Sequence, residues 1–247
     1  MKFSLALIAL AAPAASAFAP AKTASTSTAL KAGLNGWVPD ESKFAFGLPG
    51  SLDPVPDFDP LGYAEGADLQ KMLQYREAEV QHGRVAMLGA LGMLVTEEPI
   101  EYHPLFEASN KDIGPAIRHL DEVRAVSPAF FELLFLVIGF IELNRALTGW
   151  TAPGDVFSTG RIFNDDYYPG DVGFDPLGLK PDDPAEFAEI QTKELQNGRL
   201  AMLGFAGMVA QELVNGEEIF VNLGVAPDRF DPSKMPVTDF QFGAPSV

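Results

Sequence analysis

Cysteine is absent from this chain of 247 residues. No disulfide framework, cysteine-ligated zinc finger or iron–sulfur cluster can be built from it. Histidine is scarce, three in all, which leaves little for a zinc site. Positive charge is scarce too: 17 Lys and Arg stand against 34 Asp and Glu, for a formal net charge of −17. Phosphate binding needs clustered Lys and Arg, so nucleic acid is not an expected partner. Acids are missing from the start of the chain, where the first is Asp40.

That acid-free start reads as targeting sequence rather than fold. Lys2 supplies a positive n-region, Phe3 to Ala12 a short apolar h-region, and Ala15-Ser16-Ala17 an A-x-A cleavage site. Residues 1–17 are therefore expected to be a signal peptide. Residues 18–32 are rich in Ala, Ser and Thr, carry Lys22 and Lys31, and resemble a plastid transit segment. The run Ala15-Ser16-Ala17-Phe18-Ala19-Pro20 matches the junction motif of proteins sent to the complex plastids of diatoms and related algae. A simple secreted protein is the alternative. Residues 33–247 remain as the mature domain.

What is present is a repeat. Glu79-Val80-Gln81-His82-Gly83-Arg84-Val85-Ala86-Met87-Leu88-Gly89 returns as Glu194-Leu195-Gln196-Asn197-Gly198-Arg199-Leu200-Ala201-Met202-Leu203-Gly204, 115 residues later. Phe58-Asp59-Pro60-Leu61-Gly62 returns as Phe174-Asp175-Pro176-Leu177-Gly178, 116 residues later. The pattern predicts a first helix from Asp68 to Glu97 and a third from Asp183-Pro184 to Asn215-Gly216, with Asp N-caps and a Gly C-cap. A second helix, almost wholly apolar from Phe130 to Ile141, is expected from Ser127-Pro128 to about Thr148. A short amphipathic piece is expected over 217–225, and irregular, Pro-containing connections over 33–67, 98–127 and 149–182.

A repeated pair of helices around an unrelated one suggests a pseudo-twofold crossing. The fold class expected is an all-α membrane protein of three transmembrane helices, the first and third crossing. A soluble helical bundle is the alternative, because the apolar cores of those two helices are shorter than an ordinary span. Small residues at Ala86, Gly89 and Gly92, and at Ala201, Gly204 and Gly207, would let helices or flat ligands approach closely.

A charge in a membrane helix is costly unless paired. In a twofold crossing Glu79 meets Arg199 and Glu194 meets Arg84, which cancels most of that cost. A carboxylate has lone pairs to spare beyond one guanidinium. Glu79 with His82, and Glu194 with Asn197, are spaced i,i+3 and project from one helical flank. Carboxylate, imidazole and amide oxygen are each able to serve as a single axial ligand for magnesium in a macrocycle. A di-iron carboxylate enzyme is a rival reading, since Glu79-x-x-His82 fits half of such a site. It lacks a second His, because Asn197 stands there, and arginines would compete with iron. A pigment-free membrane adaptor is a third.

The two repeats, Glu142-Leu143-Asn144-Arg145 between them, and the paired Phe-Asp-Pro-Leu-Gly segments resemble the light-harvesting chlorophyll-binding family. With the presequence, the nearest look is the fucoxanthin–chlorophyll a/c proteins of diatom-type algae. The resemblance covers roughly Asp57 to Gly216. It implies a multi-pass antenna protein of the plastid thylakoid membrane that performs no enzymatic step. Its implied cofactors are chlorophyll a, chlorophyll c, fucoxanthin and carotenoids of the diadinoxanthin type. Its implied partners are a photosystem I or II core, other antenna subunits and thylakoid lipids. Carried over position by position, the implied chlorophyll ligands are Glu79, His82, Glu142, Glu194, Asn197 and Gln211, with Arg84, Arg145 and Arg199 as structural ion-pair partners. The Phe-Asp-Pro-Leu-Gly segments match carotenoid-associated loops.

Glu132 is a candidate extra ligand, and His119 is either another ligand or a solvated loop histidine. Tyr75-Arg76-Glu77-Ala78-Glu79, Gly114-Pro115-Ala116-Ile117 and Asp165-Asp166-Tyr167 look similar to the stress-related branch, tied to energy dissipation. On the family topology Glu97, Glu98, Glu101, Glu217 and Glu218 face the lumen. A hydrated acidic loop is the favoured reading of these acids over a pH sensor.

Overall fold

Helix starts and stops follow the caps written in the sequence. The computed structural model describes residues 34–97, 99–109 and 113–227; the expected signal and transit segments and Glu98 lie outside them. Within these residues seven α-helices follow in order: α1 (Leu69–Thr96), α2 (Pro104–Ser109), α3 (His119–Val126), α4 (Phe130–Gly149), α5 (Pro153–Thr159), α6 (Pro184–Asn215) and α7 (Ile219–Asn222). There is no strand among the described residues, only an isolated antiparallel bridge between Trp150 and Phe163.

Asp68 caps α1 by accepting from Lys71 N at 2.8 Å, and Asp183 caps α6 by accepting from Glu186 N at 3.2 Å. Each satisfies one of the N–H groups that a helix start leaves open. Gly216 ends α6 in the left-handed conformation, φ 68°, with its N–H bonded to Glu212 O. The connections are less irregular than their composition suggests. Residues 98–127 hold α2 and α3, and 149–182 hold α5. These helices are six to eight residues long, too short to show a period and too short to persist without tertiary support.

The helices α1 and α6 cross at two glycines. A Cβ on Gly83 would lie 3.0 Å from Gly198 Cα, and one on Gly198 2.9 Å from Gly83 Cα. The stripe of small residues lies beyond that contact. Gly89 lies under the Phe205 ring, while Gly92, Gly204 and Gly207 have no protein atom within 4 Å of where a Cβ would sit. Close approach is concentrated inside the repeated motif itself.

The main apolar cluster sits near the start of α1, where Leu73 packs with Phe163 and Tyr167, flanked by Trp37 and Leu69. The Tyr167 ring leaves no room for a side chain at Gly149, the one buried residue of α4. The rest of α4 turns Leu133, Phe135, Leu136 and Phe140 outward.

No single helix among the described residues is long and apolar enough, by hydropathy alone, to cross a membrane. Residues 116–126 and 130–149 meet that measure together but are bent by 110°. The structure therefore shows a mostly helical chain. Ionisable residues in the first halves of α1 and α6 hold their mean hydropathy down.

The acids after the long helices are not uniformly hydrated. Glu97 is 1 % exposed and its Oε2 accepts from Ile219 N at 2.8 Å, which caps α7; Glu218 is buried as well. A buried carboxylate at a helix N-terminus satisfies the open N–H and the helix dipole together. Glu101 is half-buried, and Glu217 is exposed.

Candidate functional site

The repeated motif builds two copies of one arrangement around the α1–α6 crossing. Arg84 Nε donates to Glu194 Oε1 at 2.8 Å, and Arg199 Nε donates to Glu79 Oε1 at 2.7 Å. Each arginine also clamps a loop: Arg84 Nη1 donates to Gly170 O at 2.8 Å and Arg199 Nη1 to Gly50 O at 2.7 Å. Gly50 (φ 120°) and Gly170 (φ 83°) lie in the region reserved for glycine. A Cβ there would meet Leu195 Cδ1 or Val80 Cγ1 at 2.8 Å. Sequence reasoning missed these clamps, although Pro49-Gly50 and Pro169-Gly170 repeat in the same sense as the helices.

His82 and Asn197 occupy equivalent exposed positions and make equivalent bonds. His82 Nδ1 lies 2.7 Å from Ala78 O, and Asn197 Nδ2 donates to Lys193 O at 2.8 Å. Each side chain thus spends its donor on its own helix, one turn back. A carbonyl can only accept, so Nδ1 donates, and in the neutral ring the lone pair is then on Nε2. Asn197 likewise keeps Oδ1 free. Two different side chains present one outward acceptor each, the donor chemistry that an axial magnesium bond needs.

On α4, Arg145 donates from both Nε (2.9 Å) and Nη2 (2.5 Å) to a single oxygen of Glu142, Oε2. Glu142 Oε1 has no hydrogen-bond partner among the described residues. Sequence reasoning missed what holds Arg145 in place. Its Nη1 reaches Glu77 Oε1 at 2.5 Å. Glu77 is buried on α1, where its Oε2 also accepts from Tyr167 Oη at 2.9 Å and Gly170 N at 2.7 Å. Burial, and then the Glu77 carboxylate, push the Tyr167 hydroxyl well above the usual phenol range.

Gln211 stands apart, near the far end of α6; its Nε2 is buried and lacks a hydrogen-bond partner. An orphaned buried amide is costly unless a ligand meets it. Glu132 is exposed in the first turn of α4. His119 is not a solvated loop histidine: it opens α3, and its Nε2 lies 3.0 Å from Gly114 O. Burial pushes its pKa down to about 4.

The paired loops are also alike. Asp59 accepts from Ala64 N (2.6 Å) and Tyr63 N (3.1 Å), and Asp175 from Lys180 N (2.9 Å) and Leu179 N (3.0 Å). These backbone donors hold both carboxyls below the usual range. Behind each loop lies a cleft against the crossing. One, of about 690 Å³, is lined by Phe174, Val80, Arg84 and Glu194. The other, of about 1070 Å³, is lined by Phe58, Leu203, Glu79 and Arg199. Each is large enough for part of a long apolar ligand.

The sequence has counterparts in known proteins. Residues 44–213 match the family described as Chlorophyll A-B binding protein. Light-harvesting complex stress-related protein 1, chloroplastic, of Chlamydomonas reinhardtii is 46% identical over 188 residues, 74% of this chain and 71% of that one. The fucoxanthin-chlorophyll a-c binding protein, chloroplastic, of Isochrysis galbana is 44% identical over 179 residues, 71% and 80% of the two chains. That of Chattonella marina var. antiqua is 34% identical over 223 residues, 87% and 90%.

Proposed function

This chain belongs to the chlorophyll a-b binding protein family, and on that premise we propose that it is an antenna scaffold of the plastid thylakoid membrane. It holds chlorophyll a, chlorophyll c, fucoxanthin and further carotenoids of the diadinoxanthin type at fixed distances, so that absorbed energy passes to a photosystem I or II core. The observation that carries this reading is the symmetric free acceptor on His82 and Asn197, beside two crosswise Glu–Arg pairs.

The residues present fit chlorophyll. Among the described residues, His82 Nε2, Asn197 Oδ1 and Glu142 Oε1 are acceptors without a competing donor. Glu79 and Glu194 keep lone pairs beyond their arginines. The orphaned group on Gln211 is Nε2, a donor that suits a pigment carbonyl, while magnesium ligation there would fall to Oε1. Bound chlorophyll would supply the light absorption; the chain supplies axial bonds, spacing and local charge. The two clefts behind the Phe-Asp-Pro-Leu-Gly loops suit the carotenoids. In this reading α1, α4 and α6 span the bilayer. At 1.5 Å per residue they measure roughly 42, 30 and 48 Å. Lipids, other antenna subunits and pigments cover the outward apolar face of α4.

The chain performs no bond-making step on a substrate in this reading. The di-iron alternative needs carboxylates and histidines to converge. Among the described residues no group of three or more His, Cys, Asp or Glu is placed to hold a metal ion. Glu79, Glu142 and Glu194 each face an arginine instead. The identity to a stress-related light-harvesting protein favours a second role, dissipation of excess excitation.

The test is to purify the complex from its native membrane and compare absorption with fluorescence excitation. Chlorophyll c and carotenoid bands that excite chlorophyll a emission are expected. A colourless protein would overturn the scaffold. Fluorescence lifetimes of the same complex at neutral and at acidic pH separate harvesting from dissipation.

A further inference from the structure

The three carboxylates named above as magnesium ligands, Glu79, Glu194 and Glu142, stand in different balances of charge. Glu194 has one guanidinium, Arg84. Glu79 has two: Arg199 Nε at 2.7 Å from Oε1 and Arg76 Nε at 3.3 Å from Oε2. Arg76 is buried and further fixed by its bond to Pro49 O. Its counterpart across the repeat is the neutral Gln191, which accepts from Tyr168 Oη at 3.1 Å. Glu142 has the opposite imbalance. Its single guanidinium, Arg145, is shared with the buried Glu77, so two carboxylates divide one positive charge.

We infer that Arg76 and Glu77, adjacent residues outside the ligand set, make the three carboxylate sites unequal in how tightly they hold chlorophyll. A carboxylate pinned by two guanidinia has less electron density to give a metal; one that shares its guanidinium has more. Donor strength therefore runs Glu142, then Glu194, then Glu79. Because α1 carries both residues side by side, a single turn of helix raises one site and lowers another. Glu77 has a second effect on the same site. By holding Arg145 Nη1 it turns Nε and Nη2 onto one oxygen of Glu142 and leaves the other free.

The inference rests on the reading of these glutamates as chlorophyll ligands, and the test separates the two. The pigment-loaded complex is prepared as native protein and as Glu79→Leu, Glu142→Leu and Glu194→Leu, which leave no ligating oxygen. Pigment stoichiometry and difference absorption spectra then assign one band to each site. Release of chlorophyll in detergent is followed at those bands in Arg76→Gln and Glu77→Gln. Release is expected to slow at the Glu79 site in Arg76→Gln and to quicken at the Glu142 site in Glu77→Gln. Each change should be roughly two- to fivefold, the size of a part-exposed charge pair. The reciprocal Gln191→Arg, which should quicken release at Glu194, covers the case in which Glu77→Gln does not assemble. A merely structural role predicts faster release at every site in all three variants, and that result overturns the inference. If the ligand variants lose no chlorophyll, the ligand reading fails and the inference falls with it. If they lose one each while the Arg76 and Glu77 variants release at native rates, the inference alone fails.

Discussion

At the scale of single residues, the two crosswise ion pairs are alike in length but not in how they respond to loss of an arginine. Removing Arg199 leaves Glu79 facing Arg76 at 3.3 Å, whereas removing Arg84 leaves Glu194 with no second guanidinium among the described residues. Both arginines also hold one glycine carbonyl, so that contribution cancels in the comparison. A part-exposed carboxylate that loses its one guanidinium destabilises modestly. Arg84→Leu is therefore expected to lower stability by about 1 kcal/mol more than Arg199→Leu, read as the difference in thermal midpoint of the two pigment-loaded variants; equal losses would count against Arg76 as a partner. His119 supplies a pH dependence. Its folded pKa is about 4 against 6.5 for a free imidazole, because it is buried and has His103 nearby, which outweighs the bond to Gly114 O. The unfolded chain takes up this proton first, so the stability is whole above pH 6.5 and is lost as pH falls towards 4. The loss amounts to at most roughly 3 kcal/mol. Thermal midpoints measured from pH 7 to 4 should fall more steeply in the native chain than in His119→Asn.

At the scale of helices, the long elements and their crosswise pairing were legible because their signals are redundant. Asp68 and Asp183 cap, Gly216 stops, and the motif repeats with its charges in register. The clamps were not legible in the same way, because Gly50 and Gly170 lie in segments with no period, and a Pro-Gly pair reads as any turn. Glu77 was hidden by its neighbour. Two residues before a recognisable Glu, it looks like helix-surface charge until Arg145 and Tyr167 are brought to it from other elements. The point of closest approach was not marked by the regular stripe of small residues at Ala86, Gly89 and Gly92; the backbones touch at Gly83 and Gly198. Gly83→Ala gains up to about 1 kcal/mol of helix propensity. Against that, its new Cβ would sit 3.0 Å from Gly198 Cα and 3.6 Å from its carbonyl carbon. Backbone atoms cannot swing aside as a side chain can, so overpacking wins, and a net loss of about 1–2 kcal/mol is expected. A native-like melting curve for Gly83→Ala would show that the helices do not meet there.

At the scale of the whole molecule, the protein contributes too little apolar contact to hold its own outer surfaces together. Leu133, Phe135, Leu136, Phe140 and Leu147 on α4 are 63–75% exposed, as Val85 and Leu88 on α1 and Leu200 and Leu203 on α6 are similarly exposed. The link from α4 to α1 runs mainly through one polar residue, Arg145 on Glu77. A lipid bilayer covers apolar side chains but offers no partner to the free acceptors on His82 and Asn197, nor to the buried Gln211 amide. Chlorophyll and carotenoid meet both needs at once, covering apolar faces and filling polar vacancies. Folding should therefore be linked to pigment binding by mass action, with native-state stability rising as pigment is added. The chain produced without pigment and placed in detergent is expected to keep part of its helix content but to melt without a cooperative transition and to be cut readily by protease. Adding chlorophyll a, chlorophyll c and fucoxanthin should restore both cooperativity and resistance. Variants in which His82 or Asn197 is replaced by Leu should need more pigment to reach the same protection, because on the proposed reading each would remove one axial bond without disturbing the crossing. A pigment-free chain with the same sharp melting transition and protease resistance as the loaded complex would mean that the helices hold themselves, and the pigments are cargo rather than core.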